Sequence, residues 1–347
     1  KFNQKCTQKE LEDLKKYCKF VDIDMENYIK EHYKKGGLGD VVIKKFLFNV
    51  LDEELSPIRE RRLEYLNKKD ELMKILEEGT KEAREYAKKT LKEVKASGLD
   101  GIELNGFMIR RLSLPIKMLL WAAKMPVGNS DRFDWKKLIN ESGLKVISLH
   151  EDLRRILTET EQVVSDAKEF NTDKIVITGM RNFDYTDEME LENLCKQFDE
   201  AGKLLKEQGI KLLIHNHNCE FQKLKSGQTA FDYIVTHTNP DWVSFEIDIY
   251  WAQDAGVDTV SLLKKIGSRL SMLHVSDRGI RPVGKAGSIL KADFLELGEG
   301  NLPLDDIIKV AQAHGVEAIV IETNGNWIHQ SAIESMKISS QYLKQIL

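Results

Sequence analysis

The sequence is poor in cysteine and proline, has no long apolar run and shows no strong excess of charge of either sign. Its 4 cysteines are scattered without CxxC spacing, so a disulfide framework is not indicated and a reducing compartment, the cytoplasm, is favoured. No stretch approaches the roughly 20 apolar residues of a membrane span. The first ten residues lack the apolar core of a signal peptide, and we expect none.

The overall charge and composition weaken two classes of function. With 52 basic and 56 acidic residues the formal net charge is −4, which gives no general attraction to nucleic acid or to an anionic membrane. Hydrophobic residues make up 41% and charged residues 31% of the 347 residues, the balance of a globular protein with one large core or two domains. We therefore expect neither nucleic acid nor a membrane as a partner.

Two kinds of sequence meet near residue 98. Residues 1–97 repeat apolar positions at i, i+3, i+4 and i+7 among many Lys and Glu residues, as in TQKELEDLKKYCKF, which is typical of amphipathic helices. Glycines in KKGGLGD and Pro57 interrupt the pattern, and no run alternates with the period of a strand. Residues 1–97 are therefore predicted to form an all-α segment.

Residues 98–347 alternate short apolar runs with stretches of helical period. This order is typical of parallel strands joined by crossover helices, and strands that are apolar on both faces fit a buried parallel sheet. Seven strands are predicted, within 101–107, 145–150, 174–179, 211–216, 243–251, 269–277 and 317–325. Because a complete (β/α) barrel has eight strands, we predict a TIM-type α/β barrel that lacks its first strand. A doubly wound sheet stays open on pattern alone, although no glycine-rich nucleotide motif follows a strand.

Residues that can bind a metal or move a proton gather at the carboxyl ends of the predicted strands. The amino ends carry Lys145, Lys174 and Lys211 instead. In a parallel barrel all carboxyl ends open onto one face, where active sites form, so this asymmetry predicts a site there. The strand-end residues are Glu103, His150, His215, His217, Glu246, Asp248, His274, Asp277 and Glu322.

Four of these residues form a candidate metal set, one from each of four strands: His215, Asp248, His274 and Glu322. Imidazole and carboxylate together suit a divalent transition metal such as Mn²⁺, Co²⁺, Zn²⁺ or Fe²⁺. We expect one divalent metal ion at this site, Mn, Co, Zn, Mg or Fe. Other roles are open for the neighbours, since a strand-end Asp often caps the next helix and Glu246 can pair with a Lys or Arg.

Five motifs of this segment occur in the order and spacing of one known family: HNHNCEF, EIDIYWAQDAGVD, LHVSD, ELGEGNLPLDDII and AIVIETN. On these motifs residues 98–347 resemble the sugar phosphate isomerase/epimerase family, which has the xylose-isomerase-like TIM barrel. The resemblance implies one divalent metal held by Glu, Asp, His and Glu from four strands. Asp248, His274 and Glu322 match the last three positions, and His215 falls where many members have Glu.

The histidine at the first metal position bears on the chemistry. The resemblance implies that two metal-bound glutamates act as the acid/base pair across a carbon next to a carbonyl. Here Glu322 is the expected catalytic carboxylate, and His217 or Glu220 would supply the second group. Family members with the HNH pattern look like β-eliminating enzymes in some cases. We therefore predict a metal-dependent isomerase or epimerase of a sugar or sugar derivative, with a dehydratase or lyase acting on a keto sugar or inosose as the alternative.

Further residues are predicted to contact the small carbohydrate substrate. Arg278 opens a loop with Arg281 and Lys285 that either contacts phosphate or forms a solvated lid. For His150 a packed position is as well supported as a substrate contact, and Asp277 is also explained as a cap. The predicted substrate-binding residues are Glu103, His150, Trp251, Asp277 and Arg278.

The helical segment resembles a different family. YKKGGLGDVVIKKFLFNVLDEELSPIRERRLEY and ILEEGTKEAREYAKKTLKEVKAS are similar to the carboxy-terminal helical region of bacterial tryptophanyl-tRNA synthetases. The nucleotide-binding signatures of that family are missing, so we expect no aminoacylation from residues 1–97. The junction lies in KEVKASGLDGIEL, which makes the sequence look like a chimera.

Two functions outside carbohydrate chemistry are also compatible with a barrel of this kind, a nuclease and an inactive scaffold. A nuclease of the endonuclease IV type shares the barrel but needs more metal ligands and a basic face, which this sequence lacks. A helical module fused to an incomplete barrel also fits an inactive scaffold or interaction protein. An open barrel edge invites pairing with another chain, so a homo-oligomer is a further expectation.

Overall fold

The computed structural model describes residues 30–31, 34–36, 40–110, 133–180 and 182–347. The predicted helix within residues 7–20 lies outside them. The chain divides into two compact units, residues 1–82 and 83–347. The prediction placed the junction at residues 97 and 98. The second unit begins earlier, because a helix of the leading segment continues into it.

The first unit is helical where it is described. Helix α1 (Asp40–Leu66) is followed by helix α2 (Lys69–Ala96), whose later part belongs to the second unit. Several large apolar side chains of α1 are exposed, Leu47, Phe48, Leu51, Leu55 and Ile58 among them. The predicted all-α character of this segment is confirmed for the described residues, none of whose helices is long and apolar enough to cross a membrane.

The second unit is an α/β barrel. Its main sheet consists of β1 (Gly101–Asn105), β2 (Lys145–Glu151), β3 (Lys174–Thr178), β4 (Lys211–His215), β5 (Val243–Asp248), β6 (Leu270–Val275) and β9 (Ala318–Ile321). A hairpin of β7 (Asp277–Gly279) and β8 (Asp293–Leu295) follows β6. The helices are α3 (Gly106–Ile109), α4 (Trp135–Ser142), α5 (Leu153–Thr158), α6 (Thr160–Glu169), α7 (Glu188–Lys206), α8 (Ala230–His237), α9 (Ile249–Asp254), α10 (Thr259–Ile266), α11 (Leu304–Ala313) and α12 (Ala332–Ile346).

The seven main strands are all parallel and pair in sequence order, β1-β2-β3-β4-β5-β6-β9. Each strand lies beside its sequence neighbour, so the sheet winds in one direction and forms a nearly closed barrel. The prediction of a TIM-type barrel without its first strand is confirmed, and the doubly wound alternative is wrong. β1 and β9 are the two ends of this sheet.

Four predicted strands end two or more residues earlier than expected, at Asn105, Asp248, Val275 and Ile321. The strand predicted to reach residue 251 stops at Asp248, because the Asp248 side chain accepts a hydrogen bond from the Trp251 backbone N–H and caps α9. The strand predicted to reach residue 277 stops at Val275, and the antiparallel hairpin that follows was not predicted. Its strands are three residues each, too short to show a period of two.

The later part of α2 takes the place of a barrel helix. Leu91 packs against Leu138 and Leu144, and Lys88 Nζ lies 2.8 Å from Glu141 Oε2 on α4. On its other side, Ser340 Oγ of α12 donates to the Ser97 carbonyl oxygen at 2.7 Å. A complete barrel has a helix after its first strand, packed between the last helix and the second. In this chain α2 occupies that position.

The interior of the barrel is filled by apolar side chains below the functional face. Val176, Leu213 and Met272, from β3, β4 and β6, are fully buried together. Successive residues of a strand point to opposite faces, so the residues two positions further on share this inward direction. On β4 and β6 those residues are His215 and His274, so the apolar layer forms the floor of the candidate site.

Replacing Leu213 by Ala is expected to lower the free energy of unfolding by about 2–5 kcal/mol, because the lost contacts leave a cavity in a fully enclosed layer. Ile289→Ala is the matched control, since that side chain is 90% exposed and should change stability by less than about 0.5 kcal/mol. Urea unfolding followed by tryptophan fluorescence measures both variants. Equal stability of Leu213→Ala and the parent would contradict the assigned interior layer.

Candidate metal centre

The structure brings the four residues of the predicted metal set together at the carboxyl ends of β4, β5, β6 and β9. One donor atom from each of His215, Asp248, His274 and Glu322 lies within 4.8 Å of the others. The first three are buried, whereas the Glu322 side chain retains 34% of its exposure. The set therefore has one member close to the opening of the barrel, where a small molecule has access.

Strand pairing and one amide fix the positions of these residues. His215 pairs with Glu246 across β4 and β5, and Asp248 pairs with His274 across β5 and β6. Beyond the end of β4, Asn216 accepts from the Asp248 N–H at 3.0 Å and donates to the Asp248 carbonyl oxygen at 3.1 Å. This double hydrogen bond ties the two strand ends together. Asn216 was not singled out from the sequence, although it stands between the two histidines of the motif.

Buried carboxylates orient the two imidazoles of the set. His215 Nδ1 lies 3.0 Å from Glu246 Oε2, which leaves Nε2 as its second donor atom. His274 is held on both sides, with Nδ1 2.7 Å from Glu322 Oε2 and Nε2 2.7 Å from Glu103 Oε2. The expectation that Glu246 pairs with Lys or Arg is wrong, because all its described ion pairs are with histidines.

The charges of the site are strongly coupled. Burial raises the pKa of Asp248 to about 8, with the charge of Glu322 adding to the effect and that of His274 opposing it. Burial also raises the pKa of Glu322, but the hydrogen bond and charge of His274 outweigh it and lower the pKa to about 2. For His274, burial lowers the pKa, and the charges of Glu246 and Glu103 outweigh it and raise the pKa well above its usual value. When no cation is bound, the raised pKa values of Asp248 and His274 favour their protonated forms, which offsets the negative charge of the other carboxylates.

This donor set fits a divalent cation. It offers two imidazole nitrogens and two carboxylates at the same point, the mixture that Mn²⁺, Zn²⁺, Co²⁺ and Fe²⁺ accept. Burial raises the pKa of Asp248 and so disfavours its ionised form, which positive charge at this point would stabilise. A cation at this point would supply that charge.

His217 lies beside the set, just past the end of β4. Its ring centroid is 5.1 Å from that of His215 and 5.9 Å from that of Trp251, and the side chain is half-buried. A side chain at Gly179 would collide with it, since a Cβ there would lie 2.9 Å from His217 Nδ1. Gly179 thus gives the imidazole its space, which the sequence did not reveal.

Glu220, the other predicted candidate for the second proton carrier, is occupied. It is buried, with Oε1 accepting from the Tyr185 hydroxyl at 2.9 Å and Oε2 accepting from the His217 backbone N–H at 2.9 Å. These contacts fix the turn that carries His217. Of the two candidates, the geometry favours His217 as the group that can face a substrate.

The residues predicted to bind substrate divide into two groups. Glu103 and His150 lie in the centre of the barrel, with His150 Nε2 3.4 Å from Glu103 Oε1. Asp277 is almost fully buried, and its two oxygens accept backbone N–H groups of Arg278, Gly298, Gly300 and Leu302 at 2.8–3.1 Å. These contacts fix the loop after β8 and favour a structural role for Asp277 over a substrate contact.

Trp251 and Arg278 lie near the rim. The Trp251 ring is flanked by His217 and Phe294, at centroid distances of 5.9 Å and 5.6 Å. Arg278 donates to Asp254 Oδ1 at 3.0 Å, so its guanidinium is already paired with a carboxylate. The structure therefore gives Trp251 a place beside His217, and substrate binding by either residue stays a prediction.

The fold and the site together define a class: a parallel (β/α) barrel with a cluster of histidines and carboxylates at the carboxyl ends of its strands. The model of the xylose isomerase-like TIM barrel family matches residues 91–346, and the chain belongs to that family. The match begins within α2, in agreement with the role of this helix as part of the barrel.

Solved structures show the same fold. A sugar phosphate isomerase/epimerase from Parabacteroides distasonis is 21% identical, covers 74% of this chain and 87% of its own, and gives a TM-score of 0.60. A xylose isomerase-like TIM barrel protein from Mycobacterium smegmatis in complex with magnesium is 14% identical, covers 75% of this chain and 87% of its own, and gives 0.51. At these identities the likeness shows the fold alone.

A second similarity concerns a much shorter part of the chain. Sixty-nine residues are 54% identical to the tryptophan–tRNA ligase of Streptococcus pyogenes serotype M3, over 20% of this chain and 20% of the ligase. Seventy-nine residues are 49% identical to that of Clostridium longisporum, over 23% of each chain. The chain thus spans about a fifth of the length of these ligases, and it combines similarity to two different families.

The raised pKa of Asp248 predicts a pH dependence of stability when a chelator removes cations. The folded protein keeps this proton up to about pH 8, whereas an unfolded chain loses it near pH 4. Its contribution is therefore complete below about pH 4 and is lost as the pH rises toward 8. Urea unfolding at about pH 5 and about pH 8 should show a steeper loss for the parent than for Asp248→Asn, which keeps the capping oxygen but cannot titrate. Parallel losses in the two proteins would contradict the raised pKa.

Proposed function

We propose that this protein is a metal-dependent isomerase or epimerase of a sugar or sugar derivative, acting by proton abstraction next to a carbonyl. The observation that carries the proposal is the convergence of two imidazoles and two carboxylates within 4.8 Å at the functional face of the barrel. Membership of the xylose isomerase-like family supports a small carbohydrate as substrate.

The metal set would be His215, Asp248, His274 and Glu322. A divalent cation bound there would polarise a carbonyl or hydroxyl oxygen of the substrate and lower the pKa of the adjacent C–H bond. The protein fixes the donors in advance, since Glu246 holds His215 and Asn216 holds the Asp248 backbone. Such support reduces the reorganisation that binding and reaction require.

Two residues are suited to carry protons on the substrate. Glu322 is the most exposed member of the metal set, with 34% of its side chain accessible, so its carboxylate can reach a small molecule at the opening of the barrel. His217 lies beside His215, with ring centroids 5.1 Å apart, and its imidazole has no hydrogen-bond partner in the part of the chain that the structure describes. A base on one face and an acid on the other is the arrangement that an epimerase or aldose–ketose isomerase needs.

The alternative is a metal-dependent dehydratase or lyase on a keto sugar or inosose. The observation that favours it is the imidazole of His215 in the position where many relatives carry a second glutamate. In that reaction one group removes a proton and another protonates a departing hydroxyl, for which an imidazole is suited. An inactive scaffold is a third possibility, and failure to bind any divalent cation would favour it. Cytoplasmic location and self-association remain proposals.

Removal of one carboxylate of the metal set is expected to weaken cation binding at least about tenfold, because the remaining donors cannot complete the coordination shell. Calorimetric titration of the chelator-treated protein with Mn²⁺ compares Asp248→Ala and Glu322→Ala with the parent. Glu334→Ala, an exposed carboxylate paired with His329, is the control and should leave the affinity unchanged. Parent-like affinity in both site variants would show that the metal set is wrongly assigned.

His217→Asn is expected to lower kcat by about 10²–10⁴-fold while the bound metal stays near the parental level, because a positioned base contributes a factor of that size. The substrate for this assay is whichever ketose in a panel takes up solvent deuterium in the presence of the parent protein. His237→Asn, which removes an exposed imidazole on α8, is the control.

An indirect role of His217 gives a different outcome. If it only orients His215, the variant should lose metal first, and excess metal should restore its activity. Complete rescue by added metal would thus withdraw the catalytic role. The products separate the two reactions, since an epimerase returns deuterated sugars and a dehydratase yields an unsaturated product that absorbs in the ultraviolet.

A further inference from the structure

A second cluster of donor atoms shares His274 with the metal set, and its other three members carry no proton in the proposed reaction. It consists of Glu103 on β1, His150 on β2, Glu246 on β5 and His274 on β6. One donor atom from each lies within 4.8 Å of the others. This second cluster has two carboxylates and two imidazoles, the same composition as the metal set.

One carboxylate oxygen of the second cluster lacks a partner. Glu246 is completely buried, and its Oε2 lies 3.0 Å from His215 Nδ1. Its Oε1 is enclosed as well and accepts no hydrogen bond in the part of the chain that the structure describes. Buried polar atoms almost always have a partner, and an unpaired carboxylate oxygen is especially unfavourable. The atom therefore indicates that a positively charged group belongs beside it.

His150 is oriented as a metal-binding histidine would be. Its Nδ1 lies 2.7 Å from Thr178 Oγ1, which fixes the ring and directs Nε2 toward the centre of the barrel. Nε2 is 3.4 Å from Glu103 Oε1 and 3.7 Å from Glu246 Oε2, both beyond the length of a good hydrogen bond. The imidazole nitrogen thus faces two carboxylates without being closely bound to either.

His274 connects the second cluster with the metal set. Its Nδ1 faces Glu322, and its Nε2 faces Glu103, each at 2.7 Å. We propose that the second cluster binds a second divalent cation through Glu103, His150 and Glu246. The proposal rests on the proposed function for the first cation.

The charge of the barrel interior agrees with two cations. The metal set contributes Asp248 and Glu322, and the second cluster contributes Glu103 and Glu246. Four carboxylates carry a formal charge of −4, which two divalent cations balance. Buried charges are tolerated where they are paired in this way. The mixed nitrogen and oxygen donors suit Mn²⁺, Co²⁺, Zn²⁺ or Fe²⁺ rather than Ca²⁺.

The test is the number of cations bound per chain. The full-length protein is treated with chelator, equilibrated with excess Co²⁺, freed of unbound metal and measured by elemental analysis. We expect two equivalents in the parent and one in Glu103→Gln and in His150→Asn. His237→Asn removes a surface imidazole and should keep two. If the parent binds only one equivalent of Co²⁺, the proposal is overturned. It is also overturned if Glu103→Gln and His150→Asn both bind two equivalents.

The variants also separate the two sites. Asp248→Ala should lose the equivalent held by the metal set and keep the one held by the second cluster. If the parent binds one equivalent that Asp248→Ala loses and Glu103→Gln keeps, the second cation is disproved and the proposed function stands. If Asp248→Ala binds two equivalents, as the parent does, the metal set itself is wrong, and the proposed function fails with it. Circular dichroism confirms that each variant has the parental fold.

Discussion

The burial of four carboxylates and three imidazoles at one end of a barrel is the constraint on which the rest of the structure depends. Charged groups in a nonpolar interior are tolerated only when other charges or hydrogen bonds satisfy them. Here Glu103, Glu246 and Glu322 each lie within ion-pair distance of a histidine, and the ring of His274 lies between two of them. Ser148, Thr178 and Asn216 then hold the outer members in place. Six of the seven main strands that the structure describes contribute donors to the cluster, all at the carboxyl end of the barrel.

The incomplete barrel still supports such a site. The donors come from β1, β2, β4, β5, β6 and β9, all of which are present, and the apolar layer of Val176, Leu213 and Met272 closes the interior beneath them. The helix that should follow the missing strand is supplied by α2, through its contacts with α4 and α12. The later part of this helix, where the family match begins, thus completes the outer ring of the barrel, although the strand that would precede it is not part of the described sheet.

The polar side chains at this face fall into two groups, those with hydrogen-bond partners that fix a loop or turn and those open to the mouth of the barrel. Three polar side chains near the site already have partners. Asp277 accepts from backbone N–H groups, Glu220 accepts from a tyrosine hydroxyl, and Arg278 donates to an aspartate. His217 and Glu322 keep access to the opening of the barrel. The proposed reaction depends on the first group as much as on the second, because the position of His217 depends on the turn that Glu220 supports.

The sequence by itself determined the seven strands, the helical leader and the group of residues at the functional face. Short apolar runs set the strands, and parallel topology forces their carboxyl ends to one side, so the approach of His215, Asp248, His274 and Glu322 followed without coordinates. Tertiary structure decided how their atoms pair. His274 and Glu103 are 171 positions apart and lie on strands that are not neighbours in the sheet, so no local pattern reports their contact. The same holds for the enclosure of Glu246 and for the backbone N–H groups that surround Asp277. Which donor atoms of a side chain remain available depends on distances across the barrel, and only the folded chain sets those distances.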